Sequence, residues 1–183
     1  MSVLGELQPN KVFKYFEEIC SIPHGSRNLQ QISDYLVDFA KAHELKYRQD
    51  EDLNVIIWKD GSKGYEASEP VILQGHMDMV AVKEADCDKN MEKEGLDLEI
   101  NGDYISAKGT SLGGDDGIAV AYTLAVLDDE EMAHPPIEAI FTVNEEIGML
   151  GAATIDVSDL KGRLFMNMDS EDEGVFTVSC AGG

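Results

Sequence analysis

The stretch Val71-Ile-Leu-Gln-Gly-His-Met-Asp-Met-Val80 constrains this chain most. It opens with a short continuous apolar run, Val71–Gln74, the pattern of a strand buried on both faces. Such a strand needs cover on each side, and helical periodicities recur around it. Pro9 suits the first turn of a helix, and Val12, Phe16, Ile19 and Cys20 then share one face. After the turn Ile22-Pro-His-Gly-Ser26, a second helix is expected over Leu29–His43, with Leu29, Ile32, Leu36, Phe39 and Ala40 as its apolar stripe.

Further strands are expected over Leu53–Trp58, Ile137–Val143, Arg163–Met168 and Gly174–Cys180. Asn101-Gly102, between alternating segments, signals a hairpin. The glycine-rich turn before Asp115 and Asp116 leads into an Ala/Leu-rich helix. Both acids stand where N-caps and first-turn carboxylates belong. Helices alternating with apolar strands predict an α/β fold, a three-layer sandwich with a largely parallel central sheet. A length of 183 residues suits one domain. The chain stops at Gly183 directly after the last expected strand, with no closing helix, so the sandwich is expected to be incomplete.

Charge narrows the function classes. There are 36 Asp and Glu against 14 Lys and Arg, a net charge of −22. That field repels phosphate backbones and anionic membrane surfaces, which excludes nucleic acid and membrane as natural partners. Three scattered cysteines, Cys20, Cys87 and Cys180, fit neither a disulfide framework nor a CxxC metal site. The N-terminus lacks a signal-peptide pattern, so a reduced, cytoplasmic protein is expected.

Three of the strands end in metal-type ligands: VILQG at His76, IEAIFTVN at Glu145-Glu146, and RLFMNM at Asp169. Asp115 follows the Gly113-Gly114 turn. In open α/β sheets, ligands gather outside the carboxyl ends of strands, so these distant residues can converge. In extended chain Asp78 falls on the same side as His76. It could hold the second imidazole nitrogen as a metal-bound histidine requires. A buried His–Asp hydrogen bond without metal is the alternative. Of Glu145 and Glu146, one could coordinate a metal and the other take a proton from metal-bound water. An exposed acidic turn is the plain alternative. Asp115 could bridge two ions or cap a helix. Asp169 follows a strand too apolar to expose and needs a metal, a salt bridge or a turn.

The order of ICSIPHGS, VILQGHMDMV, GTSLGGDDGIAVA, FTVNEEIGMLGA, NMDSEDEG and SCAGG resembles the aminoacylase/carboxypeptidase-like family of co-catalytic zinc peptidases. Within it the chain looks most like the aminoacyl-histidine dipeptidases, also called Xaa-His dipeptidases or peptidase D. The resemblance implies two divalent metals, zinc with manganese or cobalt as alternatives. His76 and Asp169 would ligate one, Glu146 the other, and Asp115 would bridge them. Asp78 would orient His76, and Glu145 would be the general base. The implied reaction is hydrolysis of a short peptide, such as an Xaa-His dipeptide, by a metal-bound hydroxide.

N-acyl amino acid deacylation and tripeptide cleavage share this metal site, and a non-catalytic divalent-cation module remains a rival. Asp116 gains no role. His24 is expected in a turn, and His43 and His134 at the surface. Family members carry a further zinc-binding histidine after an inserted lid and dimerisation domain. Residues 1–183 would therefore be the amino-terminal part of the catalytic domain. They would hold one zinc better than two and have little activity alone, while the full-length parent could be a homodimer.

Overall fold

The computed structural model describes residues 2–170 and 174–178. Three helices carry most of the core: α1 (Asn10–Cys20), α2 (Gln30–Ala42) and α3 (Gly114–Asp128). The α1 stripe buries Val12, Phe16, Ile19 and Cys20, and adds Tyr15. The α2 stripe buries Ile32, Leu36, Phe39 and Ala40. α3 has no polar face of any length, because it lies between α1 and a strand and is covered on both sides.

The main sheet runs in the order β1 (Lys46–Gln49), β2 (Val55–Lys59), β6 (Ile137–Thr142), β3 (Val71–His76), β7 (Leu164–Asn167). β3 is parallel to both β6 and β7, while β1–β2 and β2–β6 are antiparallel. The sheet is thus mixed, with its parallel part where the candidate ligands lie. β4 (Leu98–Asn101) and β5 (Tyr104–Ala107) form the expected hairpin, with Gly102 in the left-handed region at φ 64°. Val55, Ile57, Ala139, Phe141 and Val143 point from one face into the core shared with α1, α2 and α3. On the opposite face Glu138, Ile140 and Ile56 are also buried. There the segment after β6, with the short α4 (Leu150–Thr154), supplies contacts.

Glu138 shows how that second face is held. Its buried carboxylate accepts the Lys161 N–H (3.0 Å) and the Gly162 N–H (2.8 Å), at the turn that launches β7. Replacing it with leucine strands two amide donors, at about 1–3 kcal/mol each. Glu138→Leu should therefore cost about 2–4 kcal/mol in urea unfolding, and an unchanged midpoint would refute this anchoring role.

Several expectations change. β1 has a polar, edge-like sequence with no apolar signal and was not foreseen. β7 is not hidden: Leu164, Phe165 and Met166 are 59, 53 and 42% exposed, because among the described residues β7 is an edge strand packed chiefly against β3, with no helix laid over it. The expected last strand, Gly174–Cys180, is not one over residues 174–178. Phe176 and Val178 are exposed and have no strand partner among the described residues. Ser179 and Cys180 lie outside the described residues. His134 is buried, not at the surface, with Nδ1 2.8 Å from the Pro135 carbonyl. His43 is half-buried, its ring 4.3 Å from that of Phe39. His24 does lie in the turn, but is buried there, with Nδ1 2.6 Å from the Ile22 carbonyl.

Candidate metal centre

Parallel register brings the ligands together. Thr142 of β6 and His76 of β3 are partners, and Asn167 of β7 is partner to Gln74. Two residues past Asn167, Asp169 falls beside His76. Three past Thr142, Glu145 rises from the neighbouring strand end. α3 begins against the same edge. This approach requires Gly75: a Cβ there would lie 2.8 Å from Asp116 Oδ2 and 3.1 Å from the Ala119 Cβ. Gly113, at φ 67°, supplies the left-handed turn into α3.

His76 is the buried hub, 1% exposed. Its Nε2 lies 3.1 Å from Asp115 Oδ1 and 3.8 Å from Glu145 Oε2. Two groups of possible ligand atoms each lie within 4.8 Å of one another: His76, Asp115 and Glu146, and His76, Glu145 and Asp169. The five side chains come from three strand ends and one helix start.

The tautomer follows from the other ring nitrogen. Nδ1 is 2.9 Å from the Asp78 backbone carbonyl, which can only accept, so Nδ1 carries the hydrogen. Nε2 is then the ring nitrogen left to face the carboxylates, donating to Asp115 when protonated and free to ligate a metal ion when not. The Asp78 carboxylate is 3.6 Å from Nδ1, so it acts mainly through its charge. Its own position is fixed by two donors, the Ser26 hydroxyl (2.8 Å to Oδ2) and the Glu145 N–H (2.9 Å to Oδ1).

Without a metal ion, the surrounding carboxylates favour the protonated ring. Burial alone would lower the His76 pKa. The Asp78 carboxylate, then the charge of Asp116 and the contact with Asp115, push it up to about 9. Burial works against the Asp78 carboxylate, but His76, the Glu145 N–H and Ser26 hold it below the usual carboxylate range. Burial, then the charge of Asp115, raises Glu146.

The expected capping role of the two acids after Gly114 is not seen. The first turn of α3 has no side-chain cap, and Asp115 and Asp116 have non-helical dihedrals. Asp115 turns outward, its side chain 70% exposed and aimed at His76. Asp116, given no role by the sequence, is buried at 2% exposure, and its Oδ2 accepts the His76 N–H at 3.1 Å. Burial, with Asp169 and Asp115 adding to it, pushes Asp116 up to about 7 against the pull of His76. Ser26 and Asn54 were also missed. Buried Asn54 accepts the Val143 N–H (3.1 Å) and holds the end of β6 from the side. Only the contrast between a polar residue and its apolar neighbours, as at Asn54 in DLNVIIW, could have flagged it.

The donors suit a divalent transition ion: one neutral imidazole nitrogen with several carboxylate oxygens, at the carboxyl edge of a partly parallel sheet. The sheet and this edge have the fold of solved dipeptidase and tripeptidase structures. No protein-family profile matches the chain. Over all 183 residues it is 40% identical to the cytosol non-specific dipeptidase of Escherichia coli (strain K12), of which it covers 38%. The aminoacylhistidine dipeptidase of Vibrio alginolyticus superposes with a TM-score of 0.90 at 40% identity, over 93% of this chain and 35% of that one. A tripeptidase of Staphylococcus aureus superposes with a TM-score of 0.74 at 23% identity, over 92% of this chain and 45% of that one, a likeness of fold. The chain is homologous to the two dipeptidases over its length, and spans little more than a third of theirs. Among the described residues, no helix is long and apolar enough to cross a membrane.

Proposed function

We propose that this chain carries most of the metal-binding edge of a metal-dependent peptidase acting on short peptides, Xaa-His dipeptides among them. One observation carries the reading. Side chains up to 93 positions apart in sequence gather around the His76 ring, whose Nδ1 is committed to a carbonyl. His76 and Asp169 would hold one ion, Glu146 a second, and Asp115 would bridge them, with zinc the expected metal. Bound there, such ions supply Lewis-acid polarisation of the scissile carbonyl and acidify a water.

The chain's own residues do the rest. Asp78 holds the His76 ring in its coordinating orientation, and Ser26 holds Asp78. A Glu145 carboxylate oxygen takes the proton of the attacking water and returns it to the leaving amine. The dipeptidase and tripeptidase names of the relatives support the substrate class, and the word cytosol in one of them supports a cytoplasmic setting.

The share of the relatives covered, with the exposed apolar β7 edge, supports reading residues 1–183 as the amino-terminal part of a catalytic domain. Calorimetric titration tests both points. About one zinc per chain is expected for residues 1–183 and two for the full-length protein. His76→Ala should abolish binding by residues 1–183 and cost the full-length protein one of its two ions. An unchanged zinc stoichiometry in His76→Ala would overturn the assignment. A panel of Xaa-His dipeptides, tripeptides and N-acyl amino acids on the full-length protein then separates dipeptidase from tripeptidase and deacylase.

A further inference from the structure

A cavity of about 920 Å3 opens between the 24–28 turn and the chain leaving β3, joined to the metal centre through Ser26 and Asp78. Ser26 is common to both: it lines the cavity, and its hydroxyl bonds Asp78. Arg27, also on the lining, donates its N–H to Asn144 Oδ1 at 2.8 Å, one residue before Glu145. Arg27 and Asn144 both have left-handed backbones, at φ 70° and 54°. A non-glycine residue rarely adopts that region unless its surroundings hold it there. The bond between these two locks the turn, and with it the base of the Arg27 side chain.

The charge of this lining runs against the whole molecule. Of only 14 Lys and Arg, four stand here: Arg27, Lys83, Lys89 and Lys93. The carboxylates on the same lining are Asp88 and Glu92. Lys89 is committed to Asp97 (3.0 Å) and the Gly95 carbonyl (2.6 Å). The Lys83 ammonium donates to the Lys89 carbonyl at 2.8 Å. Among the described residues, Arg27, Lys83 and Lys93 form no ion pair. With Lys89 paired to Asp97, three cations without an ion pair face two lining carboxylates, Asp88 and Glu92, so the concavity is locally positive on an acidic molecule and draws an anion.

We propose that this cavity is a subsite for a carboxylate of the substrate, with Arg27 and Lys93 as its direct partners and Lys83 adding field. It rests on the peptidase reading and deepens it: peptides with an acidic side chain are favoured over their amides. A guanidinium can grip a carboxylate with two parallel hydrogen bonds, which an amide cannot match in charge.

Two experiments separate the subsite from the peptidase reading. On the metal-stripped chain, glutarate followed by NMR should shift the Arg27 and Lys93 signals, weaken with salt, and lose its effect in the double variant Arg27→Gln, Lys93→Gln. On the full-length protein, kcat/KM for Ala-Glu should exceed that for Ala-Gln by about fivefold, since partly exposed charged contacts give modest factors. The double variant should bring that ratio to one and leave Ala-Gln unchanged. Glutarate binding without hydrolysis of any peptide sinks the peptidase reading while the anion site survives. No glutarate shift at Arg27 or Lys93, or an Ala-Glu to Ala-Gln ratio untouched by the double variant, overturns the proposal.

Discussion

Glu145→Gln in the full-length protein should cut peptide turnover by about 10²- to 10⁴-fold with the metal still bound, the range typical of a lost general base. Glutamine has the same shape and keeps the backbone N–H that Asp78 accepts, so the strand end stays in place. What it loses is the ability to take a proton. The second ligand cluster, His76, Glu145 and Asp169, makes the experiment decisive in a further way. If Glu145 coordinates an ion, the variant should lose metal along with activity. If it is the base, metal content measured by atomic emission stays at the wild-type value. Unchanged turnover would remove Glu145 from proton transfer altogether.

Asp116→Asn should stabilise the metal-stripped chain at pH 9 by about 2–4 kcal/mol and much less at pH 4. Asp116 is raised from the ordinary carboxylate value to about 7. Between those two pH values the folded chain holds a proton that the unfolded chain has lost, so stability falls as pH rises through that window. A shift of that size corresponds to about 1.4 kcal/mol per pH unit, and relaxation and water entry reduce the total. Asparagine keeps an oxygen for the His76 N–H and never ionises, so the loss should vanish in the variant. His76, raised to about 9 with the charge of Asp116 among the causes, adds a slope of the same sign, which the variant weakens and the remaining carboxylates keep in part. Urea titrations at several pH values check this. Parallel stability curves for the two proteins would show that Asp116 is not held protonated by burial.

Much of this architecture was legible before any coordinates. The stripes of α1 and α2 follow from helical spacing, and the Gly102 hairpin from turn chemistry. β3 and β6 follow from apolar runs in short segments. The failures share a cause. β1 is a polar edge strand whose place depends on pairing with β2, a non-local contact. The apolar character of Leu164–Met166 was taken as burial. Yet composition states what a segment can bury, and its neighbours decide whether it does. His134 matches no ligand position and is expected at the surface, yet it is buried, its N–H donating to the Ser62 hydroxyl and its Nδ1 beside the Pro135 carbonyl. Ser26, Asn54 and Asp116 went unrecognised as supports because their hydrogen bonds run to residues 40 to 89 positions away.

The sequence by itself determined the kinds of group that could do chemistry and the strand ends that carry them. Side-chain type and apolar periodicity are local properties, readable residue by residue. Only the tertiary structure decided which of these groups share a pocket and which oxygen faces Nδ1 of His76. It also showed that a carboxylate with no apparent role, Asp116, lies buried under the hub. Those outcomes depend on parallel register between β3, β6 and β7 and on the close approach of α3 at Gly75. Contacts between segments so distant along the chain are selected by the packing of the whole core, and no short stretch of sequence encodes them.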